Sequence, residues 1–558
     1  MKNYDTLILH SSLNNVMAEQ NQRSFFTILR EHASMGLTDS ANAHRFRSVN
    51  RATAARLSGS EHPVLFFNAS TRLNRTSLNA AYAWITASSL RYSGVPVHFI
   101  SCGKGLKPCL LSVGRGGESL CSSCMELSRE MYDGLPHTVF SYEQDNEVAN
   151  DVEGLDYAGL SAYVHEGVPL GELTLPSLRW ILRKHHLDND PEAVTLQRSF
   201  IRSAWSTYLQ AKRLMDELEP RAVVVFNGLQ YPEAVVKWLA KSRGIPTFTH
   251  EIGLMPNTAI FTEGEATACP IDLPDDFEMT PERDAKLDDY LSKRMKGTFS
   301  TAGVQFWPEM KALPPEFWEK ARTFRQIVPV FTNVIFDTSQ KHANVVFDDM
   351  FAWLDEVKRI VENHVDTLFV IRAHPDETRP GKESHETVTD WVKKNQLTWQ
   401  PNVMYVPPEE YISSYELIQA SKFTMVYNST IGLEAAIMGA GVLSAGRSRY
   451  TQVPLCWFPK TIPDYLEKCE ELLNCDQVDV PESFRLTARR FMYYQFFHTA
   501  LSFEPFLQPD ETWKGYVKIK KFPLEALDPE NDINLKVIHE GILEGKAFVL
   551  PDEQKNKK

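Results

Sequence analysis

Long apolar runs are missing from this chain. Nothing in its 558 residues approaches the roughly 20 consecutive apolar residues that cross a bilayer, and the opening MKNYDTLILHSSLNN is too short in apolar residues for a secretory signal. The expectation is a cytosolic protein that meets a membrane only peripherally. Cysteine is scarce: eight residues make no disulfide framework, and a cytosolic chain keeps them reduced. A basic excess is also missing. Lys and Arg number 59 against 72 Asp and Glu, a net charge of -13, which argues against a nucleic-acid partner while leaving room for a local basic pocket. Several chemical signatures are absent as well. No GxxxxGK[ST] phosphate loop, no GxGxxG after a strand, no GxSxG elbow and no HExxH occur. The one DxD string, Asp188-Asn189-Asp190, sits between helical stretches and reads as a polar turn.

What is present is an alternation of short apolar runs and amphipathic segments. VLFFN at Val64, a helical stretch over Thr76–Tyr92 and VPVHFI make one βαβ unit. AVVVFN at Ala222, YPEAVVKWLAKSRG and IPTFTHE make another. A Pro-rich, charged stretch interrupts, and then the rhythm restarts through IVPVFTN, TLFVIRA, VMYVP, FTMVYN and VLSAG with helices between. The expectation is an α/β protein with two facing Rossmann-like domains. The expected boundaries are an N-terminal extension (1–60), an N-terminal domain (61–270), a linker (271–325), a C-terminal domain (326–480) and a C-terminal cross-over helix with tail (481–558). Ligands of open α/β sheets sit at the carboxyl ends of strands, so both domains should aim those ends at a shared cleft.

The richest constellation there is Tyr427-Asn428-Ser429-Thr430-Ile431-Gly432-Leu433-Glu434, a strand running directly into a helix. Asn428 or Ser429 is expected to cap it, with free N–H groups and the hydroxyls of Ser429 and Thr430 binding a phosphate. Gly432 is expected to admit the phosphate to the backbone, and Glu434 to accept from a ribose diol. Arg372 and His374, at the end of TLFVIRA, are expected to point together at a diphosphate leaving group. In the first domain Glu251 is the candidate general base, with Asp337 in reserve. Asn68, Arg72 and Asn227 are candidates for holding the acceptor. Taken singly, several of these also read as ordinary capped helices or polar loops. Cys102, Cys109, Cys121 and Cys124 have the ligand count of a structural four-thiolate zinc site, or are simply reduced thiols. No cofactor for catalysis is expected.

VIRAHPDE followed by YNSTIGLEAAIMGAGVLSAGRSRY resembles the capsule polysaccharide biosynthesis family, which includes Kdo transferases on a GT-B-type fold. The resemblance covers residues 220–505. It rests on Arg372, His374, Pro375, Ser429, Thr430, Gly432, Glu434, Ala435, Gly446 and Tyr450, together with Glu251 and Gly253 in HEIGLMPN. Two departures bear on the donor: Arg372-Ala373 stands where the family often has Lys before His-Pro, and Met255-Pro256-Asn257 where an Arg is usual. The resemblance implies a glycosyltransferase moving a sugar from a nucleotide donor to a surface polysaccharide or glycolipid. Alternatives are a polyol-phosphate transferase or UDP-sugar 2-epimerase on the same fold, and a non-catalytic glycan-binding scaffold.

Overall fold

A computed structural model describes residues 25–56, 62–69, 75–113, 118–295, 310–510 and 515–552. Parallel strands covered on both faces need apolar residues at nearly every position. β1 (Val64–Phe67) is buried throughout, β2 (Val97–Cys102) pairs parallel beside it, and β3 (His137–Phe140) follows at the sheet edge with two of its four residues exposed. β4 (Ala222–Phe226) and β5 (Thr247–Ile252) extend the parallel set on the other side, and β6 (Thr258–Thr262) turns back antiparallel. Side chains alternate between two apolar layers. Val64, Phe66 and Val224 face α1 (Phe25–Ala54), α2 (Leu78–Tyr92) and α3 (Glu118–Tyr132), while Leu65, Phe67 and Val225 face α4 (Pro191–Leu218) and α5 (Tyr231–Ser242). Each fully buried Phe, Leu or Val contributes about 1.5–3 kcal/mol. Asp190, last residue of the DxD string, caps α4 by accepting from the Glu192 and Ala193 N–H groups at 3.0 and 3.3 Å.

The second lobe repeats the arrangement. α6 (Pro281–Met295) leads into it, and β7 (Gln326–Phe331), β8 (Thr367–Arg372), β9 (Val403–Val406), β10 (Thr424–Val426) and β11 (Val442–Ser444) are all parallel, in the order β11-β10-β7-β8-β9. Phe369 and Ile371 face the layer containing α7 (Met350–Asn363), and Leu368 and Val370 face the layer containing α8 (Ile431–Ile437) and α9 (Glu482–Phe497). α9 then hands the chain back. β12 (Leu501–Ser502) joins the first sheet antiparallel to β6, β13 (Leu507–Pro509) and β14 (Val517–Ile519) form a hairpin, and α10 (Ile533–Glu544) packs on α2. The first sheet therefore runs β12-β6-β5-β4-β1-β2-β3. Asn42 on α1 donates to the Val517 carbonyl and accepts from the Ile519 N–H, so α1 and the C-terminal hairpin close the same layer. Residues 1–24 of the expected N-terminal extension lie outside the described residues. Among the described residues no helix is long and apolar enough to cross a membrane.

The lobes also touch away from the chain crossings. His186, just ahead of α4, donates from Nε2 to Asp349 at 2.9 Å and from Nδ1 to Glu386 at 2.5 Å. Glu386 accepts in addition from the backbone N–H groups of His185 and His186, and Arg183 pairs with Glu383 at 3.1 Å. The hydrogen bonds from the two carboxylates raise the His186 imidazole to about 10, and His186 in turn helps hold Asp349 down at about 2. The linkage has a definite sign. A raised His contributes stability that is full below its unfolded value of about 6.5 and fades as pH climbs towards the folded value; a depressed Asp contributes stability that is lost as pH falls from about 3.9 towards 2. The stability difference between the wild type and His186→Gln should therefore be largest near pH 4–6.5 and shrink steadily up to pH 10. Chemical denaturation at a series of pH values measures it, and a difference that does not change over that range removes the charge from the account.

Candidate active site

The strand ends of both sheets open on one cleft. A cavity of 620 Å³ lies against the second lobe, with His374, Ser429, Thr430, Arg447 and Arg449 in its wall and Leu254, Thr267 and Pro270 of the first lobe opposite. A cavity of 510 Å³ lies towards the first lobe, lined by Glu251, Gly253, Asn257 and Asn79. The two share Leu254, Thr267, Asp337, Ser339, Lys382 and Arg449, so they adjoin along these residues. A smaller recess of 120 Å³ behind His374 is lined by Arg372, Pro375, Tyr415 and Ile431.

His374 is the second residue beyond β8. Its Nδ1 accepts from the Asp376 N–H at 3.1 Å, which places the imidazole proton on Nε2. Burial lowers its affinity for a second proton, against the pull of Asp376 and Asp337, so the ring is a neutral donor. Arg372 joins it not in the main cavity but in the recess, whose wall His374, Ser429 and Thr430 share. Its side chain is buried, donates from Nη1 to the Ile412 carbonyl at 2.6 Å and borders only the recess, and burial brings it down to about 10. The cations of the cleft are others: Arg294, Arg379, Lys382, Arg447 and Arg449. Their signal was available, since Arg379 and Lys382 follow the His-Pro pair and Arg447 and Arg449 alternate with the residues leading to Tyr450.

The β10–α8 junction departs from expectation in three ways. Thr430 is the cap residue, in helical conformation and with no side-chain capping bond, and its side chain is exposed to the cleft. Asn428 is braced instead, its Oδ1 accepting from Asn333 at 2.7 Å and Gln340 at 3.3 Å. Gly432 does not admit a phosphate. A Cβ there would meet the Tyr450 hydroxyl at 2.1 Å and its ring carbon at 2.8 Å; the tyrosine fills the space and donates to the Ser429 carbonyl at 3.0 Å. Glu434 borders the cavity, but Oε1 accepts from Arg294 and Oε2 from Tyr415 at 2.6 Å, so its carboxylate is held within the protein.

Across the cleft, Glu251 is half-buried. Its Oε2 accepts from the Asn227 amide at 2.7 Å and its Oε1 from the Ile252 N–H at 2.8 Å. Burial raises its pKa; these two bonds and the Arg449 charge pull it part of the way back. A carboxylate raised above its ordinary range is a better proton acceptor than an exposed one. Asn227 is buried with positive φ (59°), a conformation Asn tolerates, and lines neither cavity; its amide reaches Glu251 instead. Asp337 lies at the meeting of the two cavities, accepting from the Thr338 N–H and the Ser339 hydroxyl. Asn68 is buried at the end of β1 and is not among the cleft-lining residues. Arg72 lies outside the described residues. The four clustered cysteines line none of these cavities.

No family model matches this chain, and no curated protein does. Solved structures do. It is similar to Thermosulfurimonas dismutans KpsC, a β-Kdo 2,4 transferase, at 15% identity over 49% of this chain and 79% of that one, TM-score 0.34. It is similar to Neisseria meningitidis UDP-GlcNAc 2-epimerase bound to UDP-GlcNAc, at 10% identity over 77% and 95%, TM-score 0.25. It is also similar to SsfS6, a Streptomyces sp. SF2575 glycosyltransferase, at 11% identity over 77% and 94%, TM-score 0.21. At these scores the α/β architecture rests on the two parallel sheets themselves.

Gly432→Ala separates packing from phosphate binding. It should cost about 1–3 kcal/mol by overpacking against Tyr450, and less when combined with Tyr450→Phe than the two single losses added together. A variant of unchanged melting temperature that has lost nucleotide affinity would return Gly432 to the phosphate.

Proposed function

We propose that the chain is a glycosyltransferase, moving a sugar from a nucleotide-sugar donor against the second lobe onto a hydroxyl of a glycan or glycolipid acceptor against the first. The observation that carries this reading is the adjacency of the two cavities across six shared lining residues, with a burial-raised carboxylate in one and an imidazole, two hydroxyls and a set of cations in the other. In the reaction Glu251 takes the proton of the acceptor hydroxyl as its oxygen bonds to the anomeric carbon. The bond from that carbon to the donor phosphate breaks, and the phosphate leaves with the electron pair. The N–H of His374, the hydroxyls of Ser429 and Thr430, and Lys382, Arg447 and Arg449 meet the charge that develops. Asn227 keeps the Glu251 carboxylate turned to the cleft. The likeness of VIRAHPDE and YNSTIGLEAAIMG to capsule polysaccharide enzymes supports a surface glycan as product; a lipid-linked acceptor would bring the protein to the membrane face.

Thermal melting with CMP, CDP, UDP, GDP and ADP tests the donor side. A nucleotide at a hundred times its dissociation constant stabilises by about 2.7 kcal/mol, a shift of a few degrees. One nucleotide should raise the melting temperature of the wild type and leave His374→Ala unmoved. If none shifts the wild type, the transferase reading fails in favour of a glycan-binding scaffold. Glu251→Gln tests the chemistry. It should keep the nucleotide shift while transfer falls by about 10²–10⁴-fold. In the wild type, transfer should decline as pH drops below the raised pKa of Glu251. Product mass distinguishes glycosyl transfer from polyol-phosphate transfer or epimerisation of the donor.

A further inference from the structure

We propose that Cys102, Cys109, Cys121 and Cys124 hold one zinc ion as four thiolates, a structural centre pinning α3 and the loop after β2 to the edge of the first sheet. The four residues come from three places: Cys102 is the last residue of β2, Cys109 lies in the following loop, and Cys121 and Cys124 share one face of the first two turns of α3. The helix that carries Cys121 and Cys124 packs on β2, the strand that ends in Cys102, and Cys102, Cys109 and Cys124 lie near enough to other members of the set to feel their charge. All four are half-buried, whereas Cys269, Cys456 and Cys469 are scattered through the core.

The two loop sulfurs are surrounded by donors. The Gly105 N–H donates to Cys102 Sγ at 3.3 Å, and N–H groups of the following loop lie near the Cys109 sulfur, while the Ser112 N–H and hydroxyl donate to the Cys109 carbonyl at 3.0 and 3.1 Å. A neutral thiol is a weak acceptor, whereas a metal-bound thiolate uses such bonds. The loop has little choice of path. A Cβ at Gly103 would meet Val139 at 2.6 Å, and one at Gly105 would meet the Phe140 ring at 2.3 Å. Its far side is tied down where the Tyr231 hydroxyl donates to the Pro108 carbonyl at 2.8 Å and the Lys107 N–H to Ser203 at 3.0 Å.

Among the described residues no three of these sulfurs lie within 4.8 Å of one another; the set that does is Glu147, Asp151 and His165 on the surface. A tetrahedral zinc site with bonds of about 2.3 Å separates its sulfurs by about 3.8 Å. Closing the set around an ion takes rotation about χ1, one step of which moves a cysteine sulfur by about 3 Å with the backbone still. The half-exposed rim suits a redox-inert ion.

Elemental analysis of the purified full-length chain after dialysis against a mild chelator should find one zinc per chain, released by a mercurial reagent as four thiols are titrated. Cys121→Ser/Cys124→Ser should lose that equivalent and Cys475→Ser should keep it. If the double variant does not fold, thiol counting on the native wild type decides, with the clustered four reacting only after zinc is withdrawn. The proposal is overturned by wild type without zinc and with the cluster freely reactive, by the double variant keeping a full equivalent, or by iron with visible absorbance in place of zinc.

Discussion

A parallel sheet delivers every strand end to the same edge, and the site depends on that constraint. The β7–β8 register sets Phe331 beside Arg372, and the β10–β7 register sets Val426 beside Phe331. Two residues beyond each of these, Asn333, His374 and Asn428 leave the sheet as neighbours, and the first and last are hydrogen-bonded. In the first lobe the β4–β5 register pairs Phe226 with His250, so the next residues along, Asn227 and Glu251, are in contact. Backbone pairing deep in two apolar layers thus determines which polar groups meet in the cleft. A register slip of one residue would turn each set over.

The electrostatics of the cleft run against those of the chain. A protein of net charge -13 gathers Arg294, Arg379, Lys382, Arg447 and Arg449 around one cavity. Arg294 is tied to Glu434, and Glu434 in turn to Tyr415, a short buried chain that fixes the helix α8 against the segment entering the second lobe. A polyanionic ligand entering this cavity would meet a local excess of positive charge on an otherwise acidic protein.

Much of the fold could be read from the chain because buried parallel strands advertise themselves as short continuous apolar runs: VLFF, AVVVF, TLFVI and VLS all lie in strands. β3 gave no such signal because an edge strand is half exposed. β12 gave none because two residues pairing with a strand about 240 positions earlier leave no local pattern. In the site, His374, Ser429, Thr430 and Glu251 stand where motif and strand ends place them. Arg372 was misjudged because alternation along a strand gives a direction and not a destination: its guanidinium found the Ile412 carbonyl first. Gly432 was misjudged because an open backbone reads alike whether a ligand or a distant tyrosine fills it.

The return of the chain through α9 makes the second lobe an insertion within the first. The first sheet is unfinished until β12 pairs with β6, and its outer apolar layer still lacks Leu535, Ile538 and Phe548 at that point. During synthesis from the N-terminus, every strand of the second lobe has emerged by residue 444 and its α9 by residue 497. The lobe that comes later in the sequence can therefore close while the earlier one is held open, its β6 edge unpaired and Tyr82 and Phe261 still without Phe503 against them. A ribosome that pauses between β11 and β12 would present a finished half and an exposed one, and a chain broken near residue 500 would lose the fold of the part it had made first.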